Sequence, residues 1–300
     1  MDLSSPLPDT EKVNPLFEDF EAKPLASLLH DLLAQHADAV IAVQNAAPAL
    51  ELAIEACAAH LLKGGRLLYA GAGTSGRLGV MDGAELMPTF GWPMERVGFL
   101  IAGGMSALTQ AQEGVEDDVK AACKDFNSLD LTSKDAIILL SASGVAPYVL
   151  ELAKLSTHKG CLTIGVANSE KAPLLELTTH PVLLRTGPEA LQGSTRLKAG
   201  TAQKVFLSTF STALMAKLGY VYKGFMINLQ PTNEKLRQRQ RRILVQLTGL
   251  PEESAGRLLN DSNADLRIAL LKHVKGVSSE DAHTLLVRAK DNLHLALTLV

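Results

Sequence analysis

Five short apolar runs, separated by segments of helical character, constrain the fold of this chain more than any other feature. The runs are Leu67 to Ala70, Val97 to Ala102, Asp135 to Ser141, Cys161 to Ala167 and Pro181 to Arg185. Helices are predicted between them at residues 106–124 and 147–157. Because continuous apolar strands that alternate with helices are typical of a sheet covered on both faces, we predict an α/β fold with a doubly wound parallel sheet.

The first apolar run ends in a glycine-rich loop. Residues 71–76 read GAGTSG, so three glycines surround Thr74 and Ser75, and a helix-competent segment follows. A strand, a tight loop and a helix N-terminus direct free backbone N–H groups at one point, where anions bind. A dinucleotide site would also require an acidic residue about twenty positions later, and the next strand runs into two glycines instead. The loop therefore favours a sugar phosphate or a similar small anion over a nucleotide, with a purely structural turn as the other alternative.

Two further polar loops follow later strands. Ser141 and Ser143 come directly after the third run, and ligands of parallel sheets bind beyond the carboxyl ends of the strands. Both serines can therefore face the glycine loop, unless they are ordinary loop residues. Residues 193–204 open a helix predicted to reach about residue 218, with Ser194 or Thr195 as its N-cap. Lys198 or a capping hydroxyl is a candidate ligand contact there, and a capped helix with a solvated basic face is the alternative.

The two ends of the chain contain additional elements. Residues 1–23 show no apolar period and are predicted to form an extended arm. Leucines at helical spacing from Leu25 to Leu33, and a second stretch at residues 46–62, predict two helices before the first strand, within a domain of residues 24–245. Residues 246–300 contain an internal repeat with a period of 27 residues. Because the leucines of one copy cannot be covered alone, the copies are predicted to form a small helical module.

Composition limits the partners and the compartment. The 300 residues are 47% hydrophobic and 20% charged with a net charge of −3, so no nucleic acid and no anionic membrane are expected as partners. The basic run at residues 237–242 is interpreted as a solvated helix face because it has no interleaved aromatic residues. We expect no membrane span and no signal peptide. Three distant cysteines, and eight histidines without ligand spacing, predict a reduced, cytoplasmic protein that binds no metal.

Several longer motifs resemble one enzyme family. They are GAGTSGRLG at 71–79, PTFG at 88–91, IAGG at 101–104, EGVED at 113–117, GSTRLKAGTAQK at 193–204 and TNEKL at 232–236. Together with Thr10, Glu11 and Asn14 in the arm, they are similar to the N-acetylmuramic acid 6-phosphate etherases over nearly the whole chain. That family has a sugar isomerase (SIS) domain and a small helical C-terminal module. Its homologues include the glucokinase regulatory protein, which binds sugar phosphates without catalysis.

The resemblance implies an activity and a set of site residues. The family converts N-acetylmuramic acid 6-phosphate and water to N-acetylglucosamine 6-phosphate and D-lactate, as a dimer and without a metal or organic cofactor, during recycling of bacterial cell-wall sugars. Its two catalytic glutamates match Glu85 and Glu116. Its phosphate-binding positions match Thr74, Ser75, Ser141 and Ser143. Further possible substrate contacts are Gly73, Gly76, Ser194, Thr195 and Lys198.

The chain departs from the family pattern beside one of these loops. Val145 and Ala146 stand where the family usually has an arginine and a threonine. The threonine belongs to the hydroxyl set around the phosphate in many sugar isomerase domains. The loss of one hydrogen bond to a charged group costs about 1.5–3 kcal/mol. A weakened phosphate site, and room for an altered substrate, are therefore expected.

The etherase reaction requires two carboxyl groups in opposite protonation states. We predict that Glu85, among apolar neighbours on the helix after the glycine loop, is the acid for lactate and then the base for water. Glu116, on the next helix, is predicted to be the base at carbon 2. A non-catalytic sugar-phosphate sensor and a sugar-phosphate isomerase are the alternative functions, and the pair of glutamates with its flanking motifs favours the lyase.

Overall fold

A computed structural model describes residues 7–229, 231 and 233–299. Residues 1–6 of the predicted arm and Thr232 of the TNEKL motif lie outside the described residues. The chain divides into two compact units. The first contains Met1–Gly83 and Glu95–Ser211, and the second contains Ala84–Met94 and Thr212–Val300. The sequence-based boundary near residue 245 falls inside a helix of the second unit, Glu234–Thr248.

The first unit contains a five-stranded parallel sheet. Its strands are β1 (Leu67–Gly71), β2 (Val97–Ile101), β3 (Ala136–Leu140), β4 (Leu162–Ala167) and β5 (His180–Leu183). The spatial order is β2-β1-β3-β4-β5 and every pair is parallel. Gly71 is in register with both Ile101 and Leu140, so the carboxyl ends of β2, β1 and β3 are level. The predicted α/β class and doubly wound parallel sheet are confirmed.

Helices pack on both faces of the sheet, because the side chains of each strand point alternately to one face and the other. Those of the first unit are α1 (Leu25–Asn45), α2 (Ala47–Leu61), α3 (Gly73–Ala84), α5 (Val119–Ser128), α6 (Pro147–His158), α7 (Pro173–Leu177) and the start of α8 (Lys198–Lys217). Leu68 and Ile137 pack in one buried cluster with Tyr148 of α6, because alternate residues of a strand point to one face. On the opposite face, Tyr69 donates a hydrogen bond to Asp82 of α3. Helices therefore cover both faces, as predicted.

One predicted helix is wrong. The predicted helix covers residues 106–124. In the structure, two short 3₁₀ turns occupy Met105–Leu108 and Val115–Asp117, and the α-helix begins only at Val119. Gly114 has a φ of 72°, which breaks a helical path. Asp118 then caps α5, since its carboxylate accepts a hydrogen bond of 2.9 Å from the Ala121 amide. The family motif around Glu116 consequently lies in a turn.

The second unit is helical and contains the repeat. Its helices are α4 (Leu86–Phe90), α9 (Glu234–Thr248), α10 (Glu252–Asn260), α11 (Leu266–Lys275), α12 (Ser279–Arg288) and α13 (Leu293–Thr298), with a short hairpin of β6 (Val221–Tyr222) and β7 (Phe225–Met226). Each copy of the repeat is a pair of helices, α10 with α11 and α12 with α13. Both helices of the second pair begin 27 residues after their counterparts, at Ser279 for Glu252 and at Leu293 for Leu266.

Both copies turn between their helices in the same way. Asn263 and Ala264 have positive φ in the first copy, and Lys290 and Asp291 have positive φ at the matching positions of the second. Asp265 and Asn292 follow these turns and cap α11 and α13 with their side chains. The local conformation repeats together with the leucines.

No helix of the described ranges is by itself long and apolar enough to cross a membrane. Helices α1 and α2 reach the necessary length and hydropathy only as a pair, and they are bent by 58° at the break between them.

Candidate active site

The loops after β1 and β3 enclose a small cavity in the first unit. Its volume is about 190 Å³. The lining residues are Glu11, Ala72, Gly73, Thr74, Ser75, Glu116, Leu140, Ser141, Ala142, Ser143, Ala146, Gly193 and Thr195. All four hydroxyl residues that match the family's phosphate-binding positions are present in this set. The structure therefore brings them together at the carboxyl ends of two adjacent strands.

Backbone packing gives the first loop its shape. A β-carbon on Gly76 would lie 2.7 Å from the carbonyl oxygen of Gly71, so α3 can start this close to β1 only with glycine there. Gly73 lines the cavity, whereas Gly76 packs behind it. The first amide bonded within the helix is that of Gly76, which donates to the Ala72 carbonyl at 3.1 Å. The amides of residues 73–75 have no partner in their own helix and add to the positive end of its dipole.

The loop after β3 adds two oriented hydroxyls. Ser141 Oγ accepts a hydrogen bond of 3.1 Å from the Gly144 amide, and Ser143 Oγ accepts one of 3.4 Å from the Val145 amide. A hydroxyl that accepts a bond in this way still has its own O–H to donate. Both serines can therefore donate to an anion in the cavity.

The charged groups of the lining are both acidic. Glu11 and Glu116 line the cavity, and no Lys or Arg is present among the described lining residues. An anion would be held by O–H and N–H donors and the dipole of α3. Across the described part of the chain, no group of three His, Cys, Asp or Glu side chains is placed to hold a metal ion.

The two glutamates that match the family's catalytic pair lie in different units. Glu116 is exposed, in the 3₁₀ turn Val115–Asp117, and lines the cavity. Glu85 belongs to the second unit, immediately before α4. Its side chain is exposed, so the expectation of apolar surroundings for Glu85 is wrong. Its neighbour Leu86 is buried instead, as is Phe90 at the end of α4.

The start of α8 differs from the prediction. Neither Ser194 nor Thr195 is the N-cap, because the helix begins at Lys198 and the carboxylate of buried Glu189 caps it. That carboxylate accepts bonds of 2.9 Å and 2.8 Å from the amides of Lys198 and Ala199. The predicted N-cap is therefore wrong, since a distant carboxylate occupies the place of a local hydroxyl.

The candidate contacts of this segment separate into two groups. Thr195 lines the cavity, whereas Ser194 and Lys198 are absent from its lining. The ammonium group of Lys198 is buried and donates to Gln35 Oε1 at 2.7 Å. Burial lowers the pKa of Lys198. Its position indicates a structural contact with α1 rather than a ligand contact.

Among the lining residues that sequence reasoning did not propose for the site are Glu11 and Gly193. Both belong to motifs that carried the family resemblance, and that was the available signal. The family-pattern departures also lie here: Ala146 lines this cavity, and Val145 lines a neighbouring cavity of about 480 Å³ that shares Ser143 with it.

Known proteins resemble this chain over most of its length. An N-acetylmuramic acid 6-phosphate etherase of Deinococcus radiodurans is 45% identical over 273 residues, which are 91% of this chain and 90% of the relative. The Pasteurella multocida protein of the same name is 38% identical over 291 residues, 97% of each chain. Residues 49–159 match the profile of the glucokinase regulatory protein N-terminal SIS domain.

A solved structure supports the fold. A proposed phosphosugar isomerase involved in capsule formation, from Bacteroides fragilis, aligns with a TM-score of 0.52 at 20% identity, covering 67% of this chain and 95% of that chain. At this identity the likeness concerns the fold alone. The identity and coverage of the two bacterial relatives carry the assignment, and the chain belongs to the N-acetylmuramic acid 6-phosphate etherase family.

Proposed function

We propose that this protein is a lyase that cleaves the D-lactyl ether of N-acetylmuramic acid 6-phosphate to give N-acetylglucosamine 6-phosphate and D-lactate. One observation carries the proposal: Thr74, Ser75, Ser141, Ser143 and Glu116 line the same cavity. The chain that contains this cavity belongs to the etherase family. Four hydroxyls and a helix N-terminus suit a phosphate. A carboxylate on the same cavity can act on the sugar attached to it.

The chemistry of the substrate defines what the residues must do. The lactyl ether is at carbon 3, β to the aldehyde of the ring-opened sugar. Removal of the carbon 2 proton gives an enolate, which expels the lactate oxygen as the carbon–oxygen bond breaks. Water then adds to carbon 3 of the unsaturated aldehyde, and carbon 2 regains a proton. The reaction needs a base at carbon 2 and an acid at the departing oxygen.

We assign the base to Glu116 and, from the match to the family's catalytic pair alone, the acid to Glu85. Glu116 lines the phosphate cavity, so a sugar anchored there by its phosphate has this carboxylate nearby. Glu85 would protonate lactate and then, as a carboxylate, take a proton from the attacking water. Such proton transfers contribute about 10²- to 10⁴-fold each to rate.

Solvent deuterium exchange separates the two steps. The protein is incubated with N-acetylmuramic acid 6-phosphate in D₂O, with D-lactate and deuterium at carbon 2 as readouts. Glu116→Gln should lose both lactate release and exchange at carbon 2. Glu113→Gln is the matched control, because Glu113 is exposed in the same segment and is not a lining residue. Absence of lactate with the wild-type protein would refute the lyase.

A non-catalytic sugar-phosphate-binding regulator is the alternative function. The profile match to the glucokinase regulatory protein SIS domain favours it. A regulator would bind the sugar phosphate without releasing lactate, so the same assay distinguishes the two. A sugar-phosphate isomerase would instead convert an aldose phosphate to a ketose phosphate.

We also propose a homodimer that acts in the cytoplasm on cell-wall sugars. The support for the dimer is a row of exposed leucines on α1, with Leu25, Leu29 and Leu33 at 70%, 51% and 69% exposure. A second protomer can bury such a face. Light scattering at micromolar concentration should give twice the chain mass, and a monomer would contradict the dimer.

A further inference from the structure

Glu11 has no role in the reaction proposed above, yet it lines the phosphate cavity. We propose that Glu11 binds the sugar part of the substrate by accepting a hydrogen bond from a hydroxyl or N–H group of the sugar. This inference rests on the proposed function only in taking a sugar phosphate as the ligand.

Contacts on both sides of Glu11 hold the arm in place. Gln192 Nε2 donates to the Glu11 carbonyl oxygen at 3.0 Å. Upstream, Asp9 accepts a bond of 3.2 Å from the Glu170 amide. Downstream, the buried Asn14 donates to the Pro188 carbonyl at 3.3 Å. Because these bonds connect the arm to distant parts of the first unit, Glu11 is presented from a fixed backbone.

Gly193 lies beside the carboxylate of Glu11 and leaves space for it. A β-carbon on Gly193 would lie 2.9 Å from Oε2 and 3.8 Å from Oε1 of Glu11. Gly193 has a φ of 72°, a conformation that favours glycine. Gly193 also lines the cavity. The carboxylate of Glu11 therefore lies against the cavity wall formed by the segment before α8.

The carboxylate of Glu11 is available to a ligand. Within the described residues, neither an ion pair nor a hydrogen bond engages it, whereas the neighbouring Asp9 and Lys12 pair with each other at 2.6 Å. An ionised carboxylate only accepts hydrogen bonds. It complements sugar hydroxyls or an acetamido N–H, which donate.

Charge excludes the phosphate itself as the partner of Glu11. Two like charges in one small cavity repel, and a phosphate brings no proton donor when it is fully ionised. The hydroxyls of the β1 and β3 loops take the phosphate, so Glu11 is left for the uncharged part of the ligand. Glu11 should therefore favour a sugar phosphate and disfavour a bare phosphate.

Calorimetry with two ligands tests this opposite effect. Glu11→Ala should weaken binding of N-acetylglucosamine 6-phosphate about ten- to a hundredfold, the range for one hydrogen bond to a charged group. Inorganic phosphate should bind the same variant equally or a few fold more tightly, because a negative charge is gone. Glu11→Gln retains an acceptor oxygen and should lose less sugar-phosphate affinity than Glu11→Ala.

The control is Glu18→Gln, an exposed arm residue outside the cavity lining, which should change neither affinity. Equal weakening of both ligands would indicate a merely structural role for Glu11 and overturn the proposal. So would unchanged binding of the sugar phosphate, or a wild-type protein that does not bind it. A wild-type protein that binds the sugar phosphate but releases no lactate would refute the lyase and leave the Glu11 test valid.

Discussion

The two compact units bury different kinds of side chain. Of the buried polar and charged residues in the described part of the chain, only Gln240 and Ser262 belong to the second unit. The first unit buries the others, including cavity residues such as Ser75 and Ser141. Because a buried polar group is costly unless it is bonded or used, the first unit must supply partners for these groups, and among them Ser75 and Ser141 line the cavity. The second unit stabilises itself through repeated apolar packing, and exposed Glu85 is its one proposed contribution to chemistry.

The strongest test of this difference between the two units is the variant Glu85→Gln. We expect D-lactate release to fall about 10²- to 10⁴-fold, the usual contribution of a general acid or base, while exchange at carbon 2 is retained. The melting temperature should not change, since Glu85 is exposed. Glu95→Gln, an exposed residue, is the control. Lactate release at the wild-type rate would remove Glu85 from the mechanism and leave the second unit without a chemical role.

Leu270→Ala tests the second unit as a source of stability. Leu270 is buried in α11 within the cluster of the repeat. Its truncation should lower the free energy of unfolding by about 2–5 kcal/mol, measured by urea denaturation. Leu295→Ala, at an exposed site of the second copy, should cost far less. A loss of kcat in the folded Leu270 variant would contradict the proposed separation of roles.

Asp135→Asn tests a buried charge of the first unit that does not line the cavity. Burial raises the pKa of Asp135, but hydrogen bonds from Arg66 and the Thr132 amide outweigh burial and hold the pKa below its ordinary value. A lowered carboxyl pKa stabilises the fold above the unfolded value, near 3.9, and this stabilisation disappears as the pH falls through the folded pKa.

The variant should therefore lose about 2 kcal/mol of stability at neutral pH. Its difference from the wild type should shrink as the pH falls below about 4. Unfolding curves measured at several pH values test both statements. The exposed Asp19→Asn is the control. A difference that does not depend on pH would mean that the charge of Asp135 is not what stabilises the fold.

Ser75→Ala tests the cavity itself. Ser75 is buried at the start of α3, and it is one of five residues with a hydroxyl side chain that line the cavity. We expect the Michaelis constant to rise about tenfold, as for one lost hydrogen bond to an anion. Ser106→Ala, an exposed serine elsewhere in the first unit, is the control. An unchanged Michaelis constant would argue against phosphate binding in this cavity.

The smallest effect is expected for Ala146→Thr, which restores the residue usual in the family. Ala146 lines the cavity and precedes α6, where a threonine hydroxyl can either reach an anion or cap the helix. We expect a Michaelis constant a few fold lower, with Val145→Thr as the control in the neighbouring cavity. A higher Michaelis constant would mean that the cavity is adapted to a ligand that needs the smaller residue.

Strands and the hydroxyl loops were predictable because their signals are local. An apolar run such as Ile137 to Leu140 specifies a buried strand by itself, and in a parallel sheet the residue after a strand lies at the ligand-binding edge. The assignment of Thr74 and Ser141 to one cavity needed only these two facts.

The errors involve long-range partners or single backbone conformations. Glu189 caps α8 from nine positions upstream of Lys198, which no capping rule anticipates. Gly114 has a left-handed backbone conformation, so the helix predicted over residues 106–124 does not form around Glu116. The position of Glu11 depends on bonds to Gln192 and other distant residues, so apolar periodicity contains no information about it.

Gly76 packs closely against Gly71, and this backbone contact restricts the conformation of the glycine loop after β1. Its shape is set by backbone contact, so an anion that enters finds the amides already oriented and need not order the loop. The loop then loses little conformational entropy when the anion binds, and this increases the affinity without any additional contact. The same close packing opposes widening of this loop, so a bulkier anion would need changes in other parts of the lining, such as the loop after β3.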